Sequence, residues 1–138
     1  MVQNTATTHP EGVHAQTMQD QLRALVREHH GNLLKQIDRL GQVLSSINVP
    51  DAGCVDVIAE AKALAHQIKG AGGSIGFQDV SSSATLLDDY LKELVALGPQ
   101  ITPDQMQRSL ALFGDLQRTA QGTTPESSTL YSADLSRP

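Results

Sequence analysis

The sequence predicts an all-α protein, an antiparallel four-helix bundle with flexible N- and C-terminal tails. Apolar residues recur at three- and four-residue steps through four segments, each of which is apolar on one side only. The apolar content is mostly Leu, Ile, Val and Ala, with two Phe, two Tyr and no Trp, which favours a helical core over a sheet. The connections between the segments are short, as expected for neighbouring antiparallel helices.

The first two helices are expected from about Thr17 to Ile47 and from about Asp51 to Ile75. Residues 48–53, NVPDAG, break the helix between them, and Gly76 turns the chain after the second. The first apolar stripe consists of Leu22, Leu25, Val26, His29, Leu33, Ile37, Leu40, Leu44 and Ile47. The second consists of Val55, Ile58, Ala61, Ala65, Ile68, Gly72 and Ile75.

The third helix is expected from about Gln78 to Leu97, where Gly98-Pro99 stops it. Its inward residues are Val80, Ala84, Leu87, Leu91 and Leu94. The fourth helix has a capping-box start with a proline at the first helical position, in Thr102-Pro103-Asp104-Gln105. It continues to about Gln121 through Met106, Leu110, Phe113 and Gln117.

The remaining residues are expected to be tails around one bundle of residues 15–121. Residues 1–14 and 122–138 are rich in Thr, Ser, Gly and Pro and have no periodic apolar pattern. The single cysteine, Cys54, excludes an intramolecular disulfide and is expected to be a small apolar filler near a helix start.

Charge and hydropathy narrow the class of partner. The net charge of -5 argues against a nucleic-acid partner, which would require clustered Lys and Arg. No apolar run approaches the roughly 20 residues needed to cross a bilayer, so no membrane partner is expected. The first residues have neither the basic region nor the apolar region of a secretory signal, so we expect a cytoplasmic location.

The stretch LAHQIKGAGGSIGF, residues 64–77, contains four glycines in a helical surrounding, although each glycine in a helix costs about 1 kcal/mol relative to alanine. On a helical wheel of about 100° per residue, His66 lies about 130° from the centre of the second stripe and should face solvent. The wheel also puts small residues on one side of His66 and two cations on the other. The small residues are Ala59, Ala63, Gly70 and Gly73, which together with Lys62 are the expected docking residues; the second cation is Lys69.

Small side chains around an exposed nucleophile would let the backbone of a second protein approach closely. Neutral imidazole is a nucleophile, and two nearby lysines would stabilise a phosphoryl group bound to it. Taken alone, these residues also fit blander interpretations: an ordinary surface His66, solvated lysines, Gly72 for helix packing, or a helix that ends at Gly70.

The same residues resemble the signature of the histidine-containing phosphotransfer (HPt) domain. Its pattern A-H-x-[LI]-K-G, with a glycine six residues later, is matched by Ala65-His66-Gln67-Ile68-Lys69-Gly70 and Gly76-Phe77. The likeness continues into the next helix, where the family pattern L-S…A…L-E is matched by Val80-Ser81, Ala84 and Leu87-Asp88. The form of the motif is closest to the phosphoacceptor domain of chemotaxis-type histidine kinases.

This resemblance implies roles for individual residues. His66 would be phosphorylated on Nε2, Lys69 would neutralise the phosphoryl oxygens, and Gly70 would leave room for the partner. Gly76 would make the turn into the third helix. Asp88 stands where relatives carry Glu or Gln and would hydrogen-bond the other ring nitrogen of the histidine.

Two positions depart from the family pattern. Asp88 is one methylene shorter than Glu, which predicts a weaker, longer or water-bridged contact with His66. Thr85 stands where chemotaxis kinases often have another histidine. Both departures concern the residues that would adjust the reactivity of the His66 imidazole, and neither changes which residue would be phosphorylated.

The resemblance further implies a phosphorelay protein whose partners are a histidine kinase and response-regulator receiver domains. The phosphoryl group would arrive from a kinase or a receiver aspartate and leave to a receiver aspartate. No cofactor or metal of its own is expected, because any Mg²⁺ would come from the receiver. The sequence has no Gly-rich nucleotide loop and no room for the further domains of a chemotaxis kinase. We therefore expect a carrier without kinase activity, and whether a carrier counts as an enzyme is partly a matter of definition.

Two other functions stay open. A non-phosphorylated helical adaptor would dock a partner through the small-residue face, although intact His66, Lys69 and Gly70 argue against a degenerate domain. A metal-binding bundle would use His29, His30 or His66. Such sites typically need inward Glu-x-x-His pairs on facing helices, and no such pair occurs; His29 is expected to be a half-buried core residue.

Overall fold

A computed structural model describes residues 10–47 and 54–131, with the side chains of the first helix described from Thr17 onwards. These residues form four α-helices and no strand. The helices are Pro10–Ser45 (α1), Cys54–Ser74 (α2), Gln78–Leu97 (α3) and Pro103–Gln121 (α4). Short 3₁₀ turns at Gly98–Gln100 and Pro125–Ser127 follow α3 and α4. Each helix packs on the next, and α4 closes on α1, so the predicted all-α four-helix bundle is confirmed.

The core lies between the four helices. Its largest fully buried apolar side chains are Val26, Leu33, Leu40, Leu44, Ile58, Ile68, Val80, Leu87, Leu91, Leu94 and Leu116. Full burial of each such side chain stabilises the fold by about 1.5–3 kcal/mol. Cys54 is buried beside them and is free, in agreement with its interpretation as a small filler. Because α2 turns its apolar stripe inward, the opposite face of that helix is left for solvent.

The start of α4 has the capping geometry that its sequence predicts. The side chain of Thr102 accepts a hydrogen bond from the backbone N–H of Gln105 at 3.2 Å. The Gln105 side chain accepts from the backbone N–H of Thr102 at 2.8 Å. Both otherwise unpaired amides of the first turn are thereby satisfied. Further along α4, Leu110 is exposed, whereas Ser109 is buried and donates its hydroxyl to the Gln105 carbonyl, so the predicted stripe is wrong at Leu110.

The histidine pair of α1 also departs from the sequence prediction. His29 is exposed, and His30 is the buried residue, with 8% of its surface accessible. Nε2 of His30 lies 2.9 Å from Oγ1 of Thr123, and its ring centroid lies 5.2 Å from that of Phe77. The prediction of a core position for His29 is wrong because residues after α4, which the periodicity of α1 does not reveal, cover His30 instead.

Both of the tails expected from the sequence include residues that belong to the fold. Residues 10–14 belong to α1, so the expected tail over residues 1–14 is wrong there, and residues 1–9 lie outside the described residues. Residues 122–131, which we call the C-terminal strap, are part of the fold, so the expected tail over residues 122–138 is wrong for them. Residues 132–138 lie outside the described residues.

The C-terminal strap is held by hydrogen bonds, which explains why an apolar pattern did not reveal it. Ser128 is 1% exposed and donates its hydroxyl to the carbonyl of Ile75, at the end of α2. The backbone N–H of Thr129 donates to the carbonyl of Gly76 at 3.1 Å. At the other end, Arg23 donates to the carbonyl of Tyr131 at 3.1 Å, and Arg27 to its hydroxyl at 3.0 Å.

Gly76 is required by this arrangement for two reasons. Its backbone φ of +87° lies in the left-handed region, which residues other than glycine rarely adopt. A Cβ at this position would also lie 2.6 Å from the hydroxyl oxygens of Ser128 and Thr129. The glycine therefore makes the predicted turn between α2 and α3 and also admits the C-terminal strap.

Ending the chain after Gln121 removes the strap and tests whether it belongs to the fold. We expect the free energy of unfolding to fall by about 2–4 kcal/mol, since several hydrogen bonds of about 1 kcal/mol each are lost. Ending the chain after Tyr131 is the matched control, so the difference in stability between the two variants measures the contribution of the strap alone. Chemical denaturation followed by circular dichroism measures both variants, and equal stabilities would contradict the assignment of the strap to the fold.

Candidate functional site

His66 lies on the outer face of α2, with 67% of its side chain exposed. The residues that α2 buries lie on the other side of the helix: Cys54, Ile58, Ala61, Ala65, Ile68 and Gly72. The helix runs without interruption to Ser74, so the alternative that it ends at Gly70 is wrong. The orientation of His66 toward solvent is as the helical wheel predicts.

His66 is hydrogen-bonded to Asp88 of α3. Its Nδ1 lies 3.0 Å from Oδ2 of Asp88, a carboxylate that is itself buried, with 6% of the residue accessible. The expectation of a weaker, longer or water-bridged contact is therefore wrong. The shorter aspartate reaches the ring of His66 directly from α3.

This bond determines which ring nitrogen is free. A carboxylate only accepts hydrogen bonds, so Nδ1 carries the hydrogen and donates it. In the neutral ring, Nε2 then holds the lone pair. With the ring anchored at Nδ1 on the exposed face of α2, Nε2 is the nitrogen left for an external electrophile.

The second oxygen of Asp88 makes the carboxylate unusual. Oδ1 is buried and has no hydrogen-bond partner among the described residues. A buried acceptor without a partner costs about 1–3 kcal/mol, and more when it is charged. Packing alone gives no reason to keep a carboxylate here, whereas orienting an exposed imidazole does.

Two lysines lie on the same helix as His66, four residues before it and three residues after it. Lys62 and Lys69 are both partly buried. Neither forms an ion pair with another described residue. At these spacings both lie on the helix surface next to the histidine, so two ammonium groups are available for an anion bound to the ring.

The predicted small-residue surface is present in part. Ala59, Ala63 and Gly70 are exposed, and a Cβ added to Gly70 would meet no atom within 4 Å. Gly73 is different, because its added Cβ would lie 3.4 Å from Oγ of Ser81 in α3. Gly73 is thus partly buried beside α3, and its part in the docking surface stays a prediction, whereas Gly72 is buried.

Two hydroxyl residues of α3 complete the surroundings. Thr85, one of the two expected departures from the family pattern, donates its hydroxyl to the Ser81 carbonyl at 2.8 Å within its own helix. Ser81 donates its hydroxyl to the backbone carbonyl of Lys69 at 2.9 Å. Sequence reasoning missed this bond, although the serine belongs to the quoted family pattern, because a contact from a side chain to a helical carbonyl leaves no periodic signal.

The site is an open surface rather than a pocket. A cavity of about 590 Å³ lies elsewhere, between α1, the end of α2 and the C-terminal strap, and His66 does not line it. Within residues 10–47 and 54–131, no cluster of three or more His, Cys, Asp or Glu side chains could hold a metal ion. No described helix is long and apolar enough to cross a membrane. The exposed ring is thus accessible to another macromolecule.

Comparisons with known proteins agree with the resemblance seen in the sequence. The family model of the Hpt domain matches residues 13–121, which include all of α2, α3 and α4. The chain is similar to Chemotaxis protein CheA of Halobacterium salinarum, with 29% identity over 119 residues. The match covers 77% of this chain and 17% of the relative, so the chain spans under a fifth of that protein. No solved structure matches significantly. The C-terminal strap lies beyond the family match.

Asp88→Ala tests whether the carboxylate sets the tautomer of His66. In the unmodified protein, ¹⁵N NMR should show the neutral ring of His66 mainly as the Nδ1–H tautomer, because Asp88 accepts that hydrogen. The variant should lose this preference and remain folded, since it also removes a buried unpartnered oxygen. Asp89→Ala, an exposed neighbour on α3, is the control. An unchanged tautomer ratio in Asp88→Ala would contradict the assignment.

Proposed function

The chain belongs to the Hpt domain family, and from this membership we propose that it is a histidine phosphotransfer protein of a two-component phosphorelay. It accepts a phosphoryl group on His66 from a histidine kinase or a receiver-domain aspartate, and passes it to a receiver-domain aspartate. The observation that carries this proposal is the exposed imidazole of His66, anchored at Nδ1 by the buried carboxylate of Asp88.

The proposed transfer exchanges one phosphorus bond for another. Nε2 of His66 attacks the phosphorus of an aspartyl phosphate, the P–O bond to the aspartate breaks, and a P–N bond forms. Nδ1 keeps its hydrogen and its bond to Asp88 throughout, so the carboxylate stabilises the positive charge that the phosphorylated ring acquires. The reverse sequence delivers the group to the next aspartate, with the ring as the leaving group.

Lys62 and Lys69 supply the electrostatic part of the proposal. A transferring phosphoryl group spreads negative charge over its three outer oxygens, and catalysis of such transfers is largely positioning and charge stabilisation. Both lysines flank His66 on α2 and have no ion-pair partner among the described residues, so their charge is available to the phosphoryl group. We assign the closer role to Lys69, one turn after the histidine in the family motif.

The partner in this proposal is a protein that docks on the surface rather than a small molecule that binds in a pocket. Hpt domains work with histidine kinases and receiver domains, and the open surface of Ala59, Ala63 and Gly70 beside His66 suits the approach of a protein backbone. In this proposal any Mg²⁺ that the reaction needs belongs to the receiver domain. The alternative of a non-phosphorylated adaptor provides no reason for a buried carboxylate bonded to an exposed imidazole.

His66→Gln should abolish phosphorylation without unfolding the protein. We expect no acid-labile label with phosphoramidate, phosphorylated receiver domains or active histidine kinases as donors, because the nucleophile is gone. The free energy of unfolding should change by less than about 1 kcal/mol, since the side chain is mostly exposed. Mass spectrometry and thermal unfolding measure both quantities.

His29→Gln, an exposed histidine on α1, is the matched control and should take up label like the unmodified protein. Failure of every donor to label the unmodified protein, or equal labelling of His66→Gln, would refute the proposed function.

Gly70→Leu should weaken the complex with a receiver domain at least tenfold, because a bulky side chain would occupy the open surface beside His66. Gly31→Leu in α1 is a matched control, since its added Cβ also meets no atom within 4 Å. Both substitutions replace a helical glycine, which is about 0.8–1 kcal/mol less favourable than alanine, by a better helix former, so helix propensity does not separate them. Isothermal titration calorimetry measures receiver affinity. An equal effect of the two variants would rule out the assigned docking surface.

A further inference from the structure

The bond between Ser81 and Lys69 connects two helices at the proposed site. Ser81 lies in the first turn of α3, and its hydroxyl donates to the backbone carbonyl of Lys69 at 2.9 Å. That carbonyl lies inside α2, where the hydrogen bonds of the helix already provide it with a backbone donor. The serine bond is therefore additional to the helix and fixes the position of α2 relative to α3 at Lys69.

Two glycines make this bond possible. A Cβ at Gly72 would lie 3.3 Å from the backbone nitrogen of Ser81 and from Cγ1 of Val80. A Cβ at Gly73 would lie 3.4 Å from Oγ of Ser81. A side chain at Gly72 would crowd the first turn of α3 and push Ser81 away from α2, whereas at Gly73 a methyl group would fit and only a larger side chain would crowd the serine. Each glycine destabilises α2 by about 1 kcal/mol relative to alanine. In exchange, the pair leaves room for α3 one turn after Lys69, next to the bond between Ser81 and Lys69.

The serine bond works together with the bond of the histidine. His66 is tied to Asp88 at 3.0 Å and Lys69 is tied to Ser81 at 2.9 Å, so α2 is attached to α3 at both residues of the proposed chemistry. His66 and Lys69 are one helical turn apart. Two such attachments one turn apart restrict rotation of α2 about its axis, which sets the direction in which the lysine side chain leaves the helix.

We propose that Ser81 is a positioning residue for phosphoryl transfer, which acts by holding the backbone of Lys69 so that its ammonium group reaches the phosphoryl group on His66. This inference rests on the proposed function. Ser81 touches neither the phosphoryl group nor the imidazole in this proposal. Its effect passes through Lys69 and should disappear when that lysine is absent.

The test is a double-mutant cycle with phosphoramidate as the phosphoryl donor, whose P–N bond breaks with release of ammonia as the bond to Nε2 forms. Initial rates of His66 phosphorylation are measured by mass spectrometry for the unmodified protein, Ser81→Ala, Lys69→Ala and the double variant. We expect Ser81→Ala to slow the reaction three- to tenfold. In the Lys69→Ala background the same change should have no further effect, because the two residues act in series.

Ser83→Ala is the matched control, since it removes another hydroxyl contact of α3, at 3.3 Å to Thr119 of α4. Its rate should equal that of the unmodified protein. A phosphorylation rate of Ser81→Ala equal to that of the unmodified protein would overturn the inference. It would also be overturned if Ser81→Ala slowed phosphorylation by the same factor with and without Lys69, because that result indicates a purely structural role of the serine. Failure of the unmodified protein to be labelled by phosphoramidate, receivers or kinases is a separate result that overturns the proposed function itself, and this inference with it.

Discussion

The close contact between α2 and α3 is the constraint on which the candidate site depends. Gly72 and Gly73 face the first turn of α3 without side chains of their own, which lets the two helices approach. Across the same pair of helices, a short aspartate reaches the ring of His66, and a serine hydroxyl reaches the backbone of Lys69. A Cβ at Gly72 would lie 3.3 Å from the backbone nitrogen of Ser81, so a larger residue there would push the start of α3 away from α2. The glycines therefore exchange helix stability for geometry between helices.

The glycine cluster serves three separate purposes. Gly70 leaves open space beside His66, Gly72 and Gly73 admit α3, and Gly76 admits the C-terminal strap at a positive φ. The strap and α3 thus fix the end of α2, while its outer face remains free for a partner. An exposed histidine on a braced helix is suited to repeated transfer, because the ring keeps its orientation while partners come and go.

Periodicity in the sequence predicted the parts of the fold that depend on apolar burial. The four helices, the inward stripe of α2 and the exposure of His66 all follow from which residues avoid water. The capping box at Thr102 was equally readable, because it is a local hydrogen-bond pattern. Errors arose where polar contacts over long sequence distances decide the structure: the burial of His30, the strap bound through Ser128, and the direct bond to Asp88. A helical wheel also cannot show what lies opposite a residue, so it does not reveal that Gly73 lies partly buried beside Ser81 of α3.

In the proposed function, His66 carries a phosphoryl group on Nε2 while Nδ1 remains bonded to Asp88. The most direct measurement is ³¹P and ¹⁵N NMR of the protein after treatment with phosphoramidate, followed by addition of unphosphorylated receiver domains. We expect one phosphohistidine, at Nε2 of His66, whose signal disappears as a receiver aspartate becomes phosphorylated. Phosphorylation at Nδ1, at another histidine, or nowhere would contradict it.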